Sequence, residues 1–403
     1  MPWLLKVVTI MAVITLILDI FLGWRLGAGA RANKHSTLPP YVYTGWMLLS
    51  LFFLAYPIWC HIQYYVIGGV YHIYEDPPAW MMYLFWFGLG FSAHLFGWIL
   101  CVDLIKLILK GIKWPAASGI RQFQQLAYLF LFIGVFGYTA YTMYSNSAHI
   151  QMEKIEVQVN QLPSSLEGLR IAHISDVQAD RFTGTEKLNR FVGMINNQEP
   201  DIVLFTGDLV SWGTNYIETG AKAMGRIEAK YGVYAVLGDH DFWAGTDTVR
   251  NALEANGITF FDNKNKNVQI NGADVGLTGI TQIYDQRIGN TLLKTLLSKG
   301  SKTDLSILFS HQINRKIADI TRSHGYNLAL GGHTHGGQFA PAFLIFPISA
   351  PMLETEFVSG IYCAEDLFIN INNGLGYTLA PVRLHAPAEI SMLHISTARS
   401  VTP

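Results

Sequence analysis

Hydrophobic residues fall into two regimes along this chain. As far as about residue 148 they form long runs; beyond it they come as short bursts between polar, glycine-containing turns. The long runs are Leu4–Trp24, broken only by Lys6, Thr9, Thr15 and Asp19, then Tyr41–Cys60, Ala79–Val102 and Phe123–Tyr144. Each is near the ~20 residues that span a bilayer as a helix, so the pattern predicts transmembrane helices at about 4–24, 41–60, 79–102 and 123–144. Trp46, Trp59, Trp80 and Trp98 fall near predicted helix ends, where interfacial aromatic belts form. Buried helices of a soluble bundle would give similar runs, but four in succession favour a membrane region over residues 1–148.

From residue 149 the pattern is that of an α/β domain extending to residue 403. Ile155–Val159 alternates as a half-exposed strand does. Leu169–Ser175, Asp201–Thr206, Gly232–Leu237, Asp304–Phe309 and Tyr326–Leu330 are short apolar bursts of the kind that form buried strands. Between them, helical periodicity covers Glu186–Asn197, Tyr216–Lys230 and a stretch ending at Ser323.

Composition agrees with this division. Half of the 403 residues are hydrophobic, only 14% are charged, and the mean hydropathy is +0.26. The formal net charge of -1 argues against a nucleic-acid partner, which calls for a basic surface. Of three cysteines, Cys60 and Cys101 lie in the apolar runs, so Cys363 alone cannot build a disulfide framework in the polar domain. Basic residues Arg25, Arg31 and Lys34 in the first loop, with Lys106, Lys110, Lys113 and Arg121 around the third, contrast with Glu75 and Asp76 in the second. The positive-inside bias then puts the second loop and everything after Tyr144 on the periplasmic or extracellular face of a multi-pass protein. A cleaved signal peptide ending near Ala28-Gly29-Ala30 is the competing reading of the first run; four retained helices are preferred. Asp19, His94 and Asp103, in or beside the spans, are either functional groups or bundle-facing polar residues.

The chemistry lies at the strand ends. Gly331-Gly332-His333-Thr334-His335-Gly336-Gly337 puts two imidazoles on one face of extended chain, and neutral imidazole is a common ligand for zinc, iron and similar ions. The other strands end at Asp176-Val177-Gln178, at Gly207-Asp208, at Gly238-Asp239-His240-Asp241 and at Ser310-His311. One acidic residue there would be ordinary helix capping; five strand ends supplying Asp and His make a metal centre. Mixed oxygen and nitrogen ligands in this number exceed one four-coordinate ion. They predict two divalent ions, with manganese, iron or zinc suited above calcium or magnesium. Paired ions of this kind suit attack by metal-activated hydroxide on a phosphorus centre. Neither a serine or cysteine nucleophile elbow nor a Gly-rich nucleotide loop is visible.

These motifs, in this order, resemble the calcineurin-like metallophosphoesterase superfamily: Asp-x-His, Gly-Asp, Gly-Asn-His-Asp/Glu, a lone His, then Gly-His-x-His. The resemblance runs from about residue 155 to 395. Leu166-Glu-Gly-Leu-Arg-Ile, Asn373-Gly-Leu-Gly-Tyr and Pro381-Val-Arg-Leu look like its membrane-associated branch. It implies a four-layer α-β-β-α sandwich in which Asp176 and His335 hold one ion, Asp208 bridges both, and Asp239, His311 and His333 hold the other. It further implies that His240 contacts the scissile phosphate or protonates the leaving group, with Asp241 orienting it. Gln178 stands where a histidine ligand of the first ion is usual, and Asp239 where asparagine is usual. The first site is therefore expected to be weakened, so that manganese or magnesium is favoured there, and the second strengthened. Arg181 and Arg383 are further candidates for phosphate contact, or else packing residues; Phe242, Trp212 and Trp243 are candidates for an apolar wall.

Together these readings predict a membrane-anchored phosphoesterase acting on a phosphodiester, pyrophosphate or phosphomonoester. Its location admits a lipid-linked substrate and contact with membrane lipid. The alternative is a degenerate receptor or assembly factor that binds a phosphorylated ligand.

Overall fold

The structure is a computed structural model that describes residues 2–30, 38–68, 77–112 and 117–398. Arg31, Lys34, Glu75, Asp76 and Lys113, on which the orientation argument draws, lie outside the described residues, as does the side chain of Arg121. The chain forms two compact units. One comprises residues 1–148 together with Phe339–Ser349 and Leu379–His385; the other holds the rest of residues 149–403.

In the first unit, α1 (Trp3–Ala30), α2 (Leu38–Phe53), α3 (Ala55–Ile62), α4 (Ala79–Gly111) and α5 (Ala117–Ala148) carry the apolar runs. Three stretches, Trp3–Gly27, Ala79–Gly111 and Phe123–Ala148, are long and apolar enough to cross a membrane. The second predicted span is a bent pair, Tyr41–Phe53 and Ala55–Ile67, meeting at 45°. Pro57 accounts for the bend: its ring crowds the carbonyl four residues back, at Phe53, and it has no N–H to donate there. Among the described residues there are therefore three candidate spans, or four if the bent pair is one. The ionisable groups face inside the bundle. Asp19 is fully buried and accepts a 2.6 Å hydrogen bond from Ser92. His94 Nδ1 lies 2.9 Å from Thr139 Oγ1. Asp103 accepts from Tyr128 at 2.6 Å and pairs with Arg25. This is the bundle-facing reading of all three.

The second unit is built on two six-stranded sheets. The first uses β1 (Ile150–Val159), β2 (Leu169–Ile174), β3 (Ile202–Phe205), β4 (Val233–Ala235), β5 (Thr259–Phe260) and the last strand, β12 (Ala388–Thr397), in the order β1-β12-β2-β3-β4-β5. The second uses β6 (Lys264–Ile270), β7 (Ala273–Ile280), β8 (Leu305–Ser310), β9 (Leu328–Gly331), β10 (Gly360–Ala364) and β11 (Leu367–Ile371), in the order β10-β11-β9-β8-β7-β6. Within the first sheet β2 to β5 are parallel, and within the second β7, β8, β9 and β11 are. The two-residue period of a strand sorts each apolar burst between two cores. Ile202, Leu204, Ile307, Phe309, Leu328 and Leu330 meet between the sheets. Val203 and Phe205 face outward onto Leu188, Phe191, Val249 and Leu253, carried by helices α6 (Thr185–Asn196) and α8 (Asp239–Ala255). Leu308 and Ala329 face Leu293, Leu297 and Ile317, carried by α9 (Asn290–Gly300) and α10 (Arg315–Ser323). A strand buried on both faces must be apolar throughout. The result is a four-layer α-β-β-α sandwich, with the carboxyl ends of the parallel strands of each sheet carrying the polar motifs.

Helix α7 (Ile217–Met224) stops well before Lys230, the end that periodicity suggests. After Met224 the main-chain bonds switch from the i→i+4 to the i→i+3 spacing, from Arg226 to Ala223 and from Ile227 to Met224, and the helix tightens out of register.

Phe309 is fully buried between the sheets. Phe309→Ala should lower stability by about 3–5 kcal/mol, read as a lower thermal unfolding midpoint with unchanged secondary-structure content.

Candidate metal centre

Every site residue sits just beyond a strand. Asp176 and Gln178 follow β2, Asp208 follows β3, Asp239 opens α8 after β4, His311 follows β8, and His333 and His335 follow β9. Five of these turn their side chains inward by adopting the left-handed backbone region: Asp176 (φ 49°), Gln178 (48°), Asp208 (63°), His333 (72°) and His335 (50°). Such a conformation costs of order 1–3 kcal/mol per residue and persists only where the surroundings over-determine it, which is the case at functional sites. Here the surroundings are main-chain bonds between loops: Asp176 N to Gly207 O at 2.8 Å, Gln178 N to Asp208 O at 3.0 Å, and Gly376 N to Asp176 O at 2.8 Å. Gly332 permits the closest approach. A Cβ there would fall 1.8 Å from Ser175 Oγ and 2.4 Å from Asp176 Oδ2.

The side chains converge as two overlapping groups. Ligand atoms of Asp239, His311 and His333 lie within 4.8 Å of one another, and so do those of Asp176, Asp208 and His311. His311 joins them, its Nε2 being 3.4 Å from Asp208 Oδ2 and 3.3 Å from Asp239 Oδ2. His333 Nδ1 is 3.0 Å from Asp239 Oδ2, and His335 Nε2 is 3.1 Å from Asp176 Oδ1. All three carboxylates are at most 2% exposed.

Divalent cations fit this set. Asp176 Oδ1, Gln178 Oε1 and His311 Nε2 are buried and make no hydrogen bond, although buried polar atoms almost always do. His311 also has the orientation of a ligand: its Nδ1 bonds the Thr206 carbonyl at 2.8 Å, which directs the Nε2 lone pair into the cluster.

The electrostatics express the same charge balance. Burial alone would raise Asp176, but the His335 and His311 imidazoles outweigh it and hold the carboxyl below its usual range. Asp239 is likewise depressed by His311 and His333 against its own burial. Burial would lower His311, yet Asp208 and Asp239 drive it well above the usual imidazole value. His333, opposed by burial but paired with Asp239 and Glu354, reaches about 9. Protons on these imidazoles supply the positive charge that bound cations would supply.

The remaining motif residues divide. His240 donates its main-chain N–H to Asp208 Oδ1 at 2.8 Å; its ring meets the Ser211 carbonyl through Nδ1 and Thr378 Oγ1 at 3.4 Å through Nε2. The sequence reading has Asp241 orient this ring. Instead Asp241 accepts from the amides of Asp208 (2.8 Å), Leu209 (2.7 Å) and Gly238 (3.1 Å), pinning two motif loops together. Its own pKa rises to about 7 through burial and the charge of Asp208. Gln178 donates from Nε2 to Asp208 Oδ2 at 2.9 Å, leaving its oxygen as the buried unpaired atom. Arg383 is fully buried and belongs to the unit of the helices, which is the packing reading of that residue. The Arg181 guanidinium lies over the Phe182 ring. Phe242 and Trp243 are part-exposed, Trp243 stacking edge-on against His240.

Three neighbours escaped the motif reading. Gln312 donates to Asp239 Oδ2 at 2.8 Å, and Tyr284 donates its amide to Asp239 Oδ1 at 2.6 Å. The Tyr284 hydroxyl lies 3.1 Å from His333 Nε2 and bonds Glu354 at 2.5 Å. Gln312 is signalled by its place after His311; Tyr284 and Glu354 come from loops with no motif.

Residues 169–337 match the calcineurin-like phosphoesterase family. The chain carries a calcineurin-like metallophosphoesterase domain. It is 30% identical over 259 residues to the bovine (Bos taurus) "Transmembrane protein with metallophosphoesterase domain", covering 60% of this chain and 56% of that one. A Danio rerio protein of the same description is 25% identical over 371 residues, covering 88% of this chain and 81% of its own. The uncharacterized metallophosphoesterase YkuE of Bacillus subtilis is 28% identical over 260 residues, covering 64% and 89%. This chain thus spans little more than half the length of the bovine relative. Phosphoesterase domains of this family use divalent metal ions on phosphorylated substrates, and the Asp and His clusters here are of the kind that binds such ions.

Metal binding must displace the imidazole protons, because His333 is protonated below about 9. Titrating chelator-stripped protein with Mn²⁺ at neutral pH should therefore release protons as the position lined by His311 and His333 fills. Calorimetry in two buffers of different ionisation enthalpy reads this, and affinity should weaken as pH falls. The metal-free protein should behave oppositely. The raised His333 value contributes stability that is complete below the unfolded pKa of ~6.5 and lost as pH rises through about 9. Its thermal midpoint should fall across that window, and added metal should cancel the fall.

Proposed function

We propose that this chain is a membrane-anchored, metal-dependent phosphoesterase, with a transmembrane region over residues 1–148 and a hydrolytic domain over residues 149–403. The observation that carries the reading is the convergence of Asp176, Asp208, Asp239, His311 and His333 in two overlapping groups, with Asp176 Oδ1 and His311 Nε2 buried and without a hydrogen bond, and with His335 Nε2 3.1 Å from Asp176 Oδ1. In this reading Asp176, Gln178 and His335 would hold one divalent ion and Asp239, His311 and His333 a second, with Asp208, grouped with Asp176 and His311, a further ligand. Two such ions supply charge neutralisation for phosphate oxygens and acidify the attacking water.

The chain's own residues do the rest. Asp208 is fixed by the His240 amide on one oxygen and by Gln178 on the other. The Ser211 carbonyl holds the Nδ1 proton of His240, so Nε2 is the atom left to meet a phosphoryl or leaving-group oxygen. Asp241 keeps the Asp208 and Gly238 loops at one separation. Gln178 braces Asp208 through nitrogen while offering oxygen, a weaker ligand than imidazole, so an ion held there would be the looser one. Manganese, iron and zinc suit the mixed ligands, and magnesium suits the oxygen-rich first position. Several spans exceed what an anchor needs, which favours a lipid-linked phosphate or pyrophosphate substrate. The basic loops favour an outward-facing hydrolytic domain.

The test uses the purified full chain: bound metal per chain, and turnover of bis-p-nitrophenyl phosphate with manganese. About two ions and His240-dependent turnover are expected. His240→Ala should reduce turnover about 10²–10⁴-fold while leaving metal content unchanged. One ion or none, with no turnover in any metal, would favour a receptor that binds a phosphorylated ligand. Gln178→His should tighten the weaker ion; unchanged metal stoichiometry and turnover would remove the assigned weakness of that site.

A further inference from the structure

Phe339–Ser349 groups with the helices of residues 1–148, although it comes from the phosphoesterase half of the sequence. It is a two-stranded hairpin in which Ala342 pairs with Pro347 and Phe343 with Phe346. The segment from Phe339 to Leu353 contains no charged residue. Its outer side chains are strongly exposed: Ile345 72%, Phe346 66% and Ile348 61%. In water such a cluster would be a liability.

The hairpin lies along α4. Phe339 packs edge-on against Trp86 at 4.9 Å. A Cβ on Gly90 would meet the Leu384 and Phe339 side chains at 3.3 and 3.5 Å, and one on Gly97 would meet the Leu344 nitrogen at 3.1 Å and the Phe343 ring at 3.3 Å. Glycine at these two helix positions lets the hairpin backbone come against the helix. Exposed Trp80 and Tyr83 mark one end of the apolar stretch of α4. Asp103, paired with Arg25, marks the other. Gly97 lies 14 residues beyond Tyr83, about 21 Å along the helix, so the hairpin tip sits at the depth of the apolar stretch.

We infer that Phe339–Ser349 is a re-entrant hairpin inserted in the bilayer beside α4, with lipid acyl chains covering Ile345, Phe346 and Ile348. Non-helical backbone at membrane depth must satisfy its polar groups within the protein. Pro341 and Pro347 have no N–H to satisfy. Ala340 N donates to Leu384 O at 3.3 Å, Ile348 N donates to Pro341 O at 3.1 Å, and Ala342 with Pro347 and Phe343 with Phe346 are paired across the hairpin. Site residues flank the hairpin in sequence, His335 four positions before Phe339 and Glu354 five positions after Ser349.

The test is depth measurement on the full chain in phosphatidylcholine–phosphatidylglycerol vesicles. Nitroxide labels at Ile345→Cys and Phe346→Cys, with Cys60, Cys101 and Cys363 replaced by alanine, should collide more with oxygen than with a water-soluble nickel chelate. A label at the exposed Glu186→Cys should do the reverse. Nickel access at both hairpin positions would overturn insertion; loss of access to both reagents would mean protein covers the face, as in contact with a second copy, and would overturn it too. If the cysteine-free background does not fold, benzoylphenylalanine at position 345 of the otherwise native chain gives the second reading. Photo-adducts of lipid mass are expected, and adducts to protein alone would refute the proposal. Neither measurement depends on turnover, so failure of the hydrolase reading would leave this result standing.

Discussion

Three buried carboxylates in one place need positive charge, and the architecture of the phosphoesterase domain follows from that need. Taking an ion out of water costs several kcal/mol even after relaxation, and only close, well-placed partners offset it. Among the described residues, the groups within ion-pair distance of Asp176, Asp208 and Asp239 are all imidazoles. Imidazole can carry a proton or donate a lone pair to a cation, which lysine and arginine cannot do at neutral pH. Protons on the imidazoles can thus balance the cluster, and a bound cation could take their place. Asp241 shows the limit of such crowding: beside Asp208, and without an imidazole of its own, it rises to about 7 and is held instead by three main-chain amides.

Holding these groups together requires a rigid frame. Five site residues lie in a backbone region disfavoured for residues with a Cβ. Their loops hang on strands whose two faces are both buried, one between the sheets and one under helices. Each sheet delivers its ligands from the carboxyl ends of parallel strands, where open α/β sheets place their sites. Distances of about 3 Å between side chains from strands far apart in sequence can persist only if those cores do not yield.

The helical unit solves a different problem. Its polar groups are few and find partners inside the bundle, as Asp19 does with Ser92 and Asp103 with Arg25 and Tyr128. Apolar side chains take the outer surface: Leu107, Phe130 and Ile133 are each 60% exposed or more. In a soluble protein that distribution would be inverted.

Much of this was legible in the sequence. Strand and helix positions follow from local periodicity, so the apolar runs, the central parallel strands and the Asp and His residues at their ends could all be read in order. The departures at Gln178 and Asp239 were equally visible, being single residues set against a motif. Other features arise from contacts between distant segments and leave no local trace. His333 meets Asp176 across 157 positions, and His311 joins both ligand groups only because the two sheets pack face to face. Asp241 turned to backbone amides rather than to the adjacent His240, since the neighbouring loop presents donors that sequence adjacency cannot show. Tyr284, Glu354 and the uncharged hairpin at residues 339–349 carry no motif at all. The sequence alone determined the elements and the chemical types at their ends, because those depend on neighbours a few residues away. Only the tertiary structure decided which ends converge, which atoms are left unpaired and which apolar loop joins the helices, because those depend on packing across the whole chain.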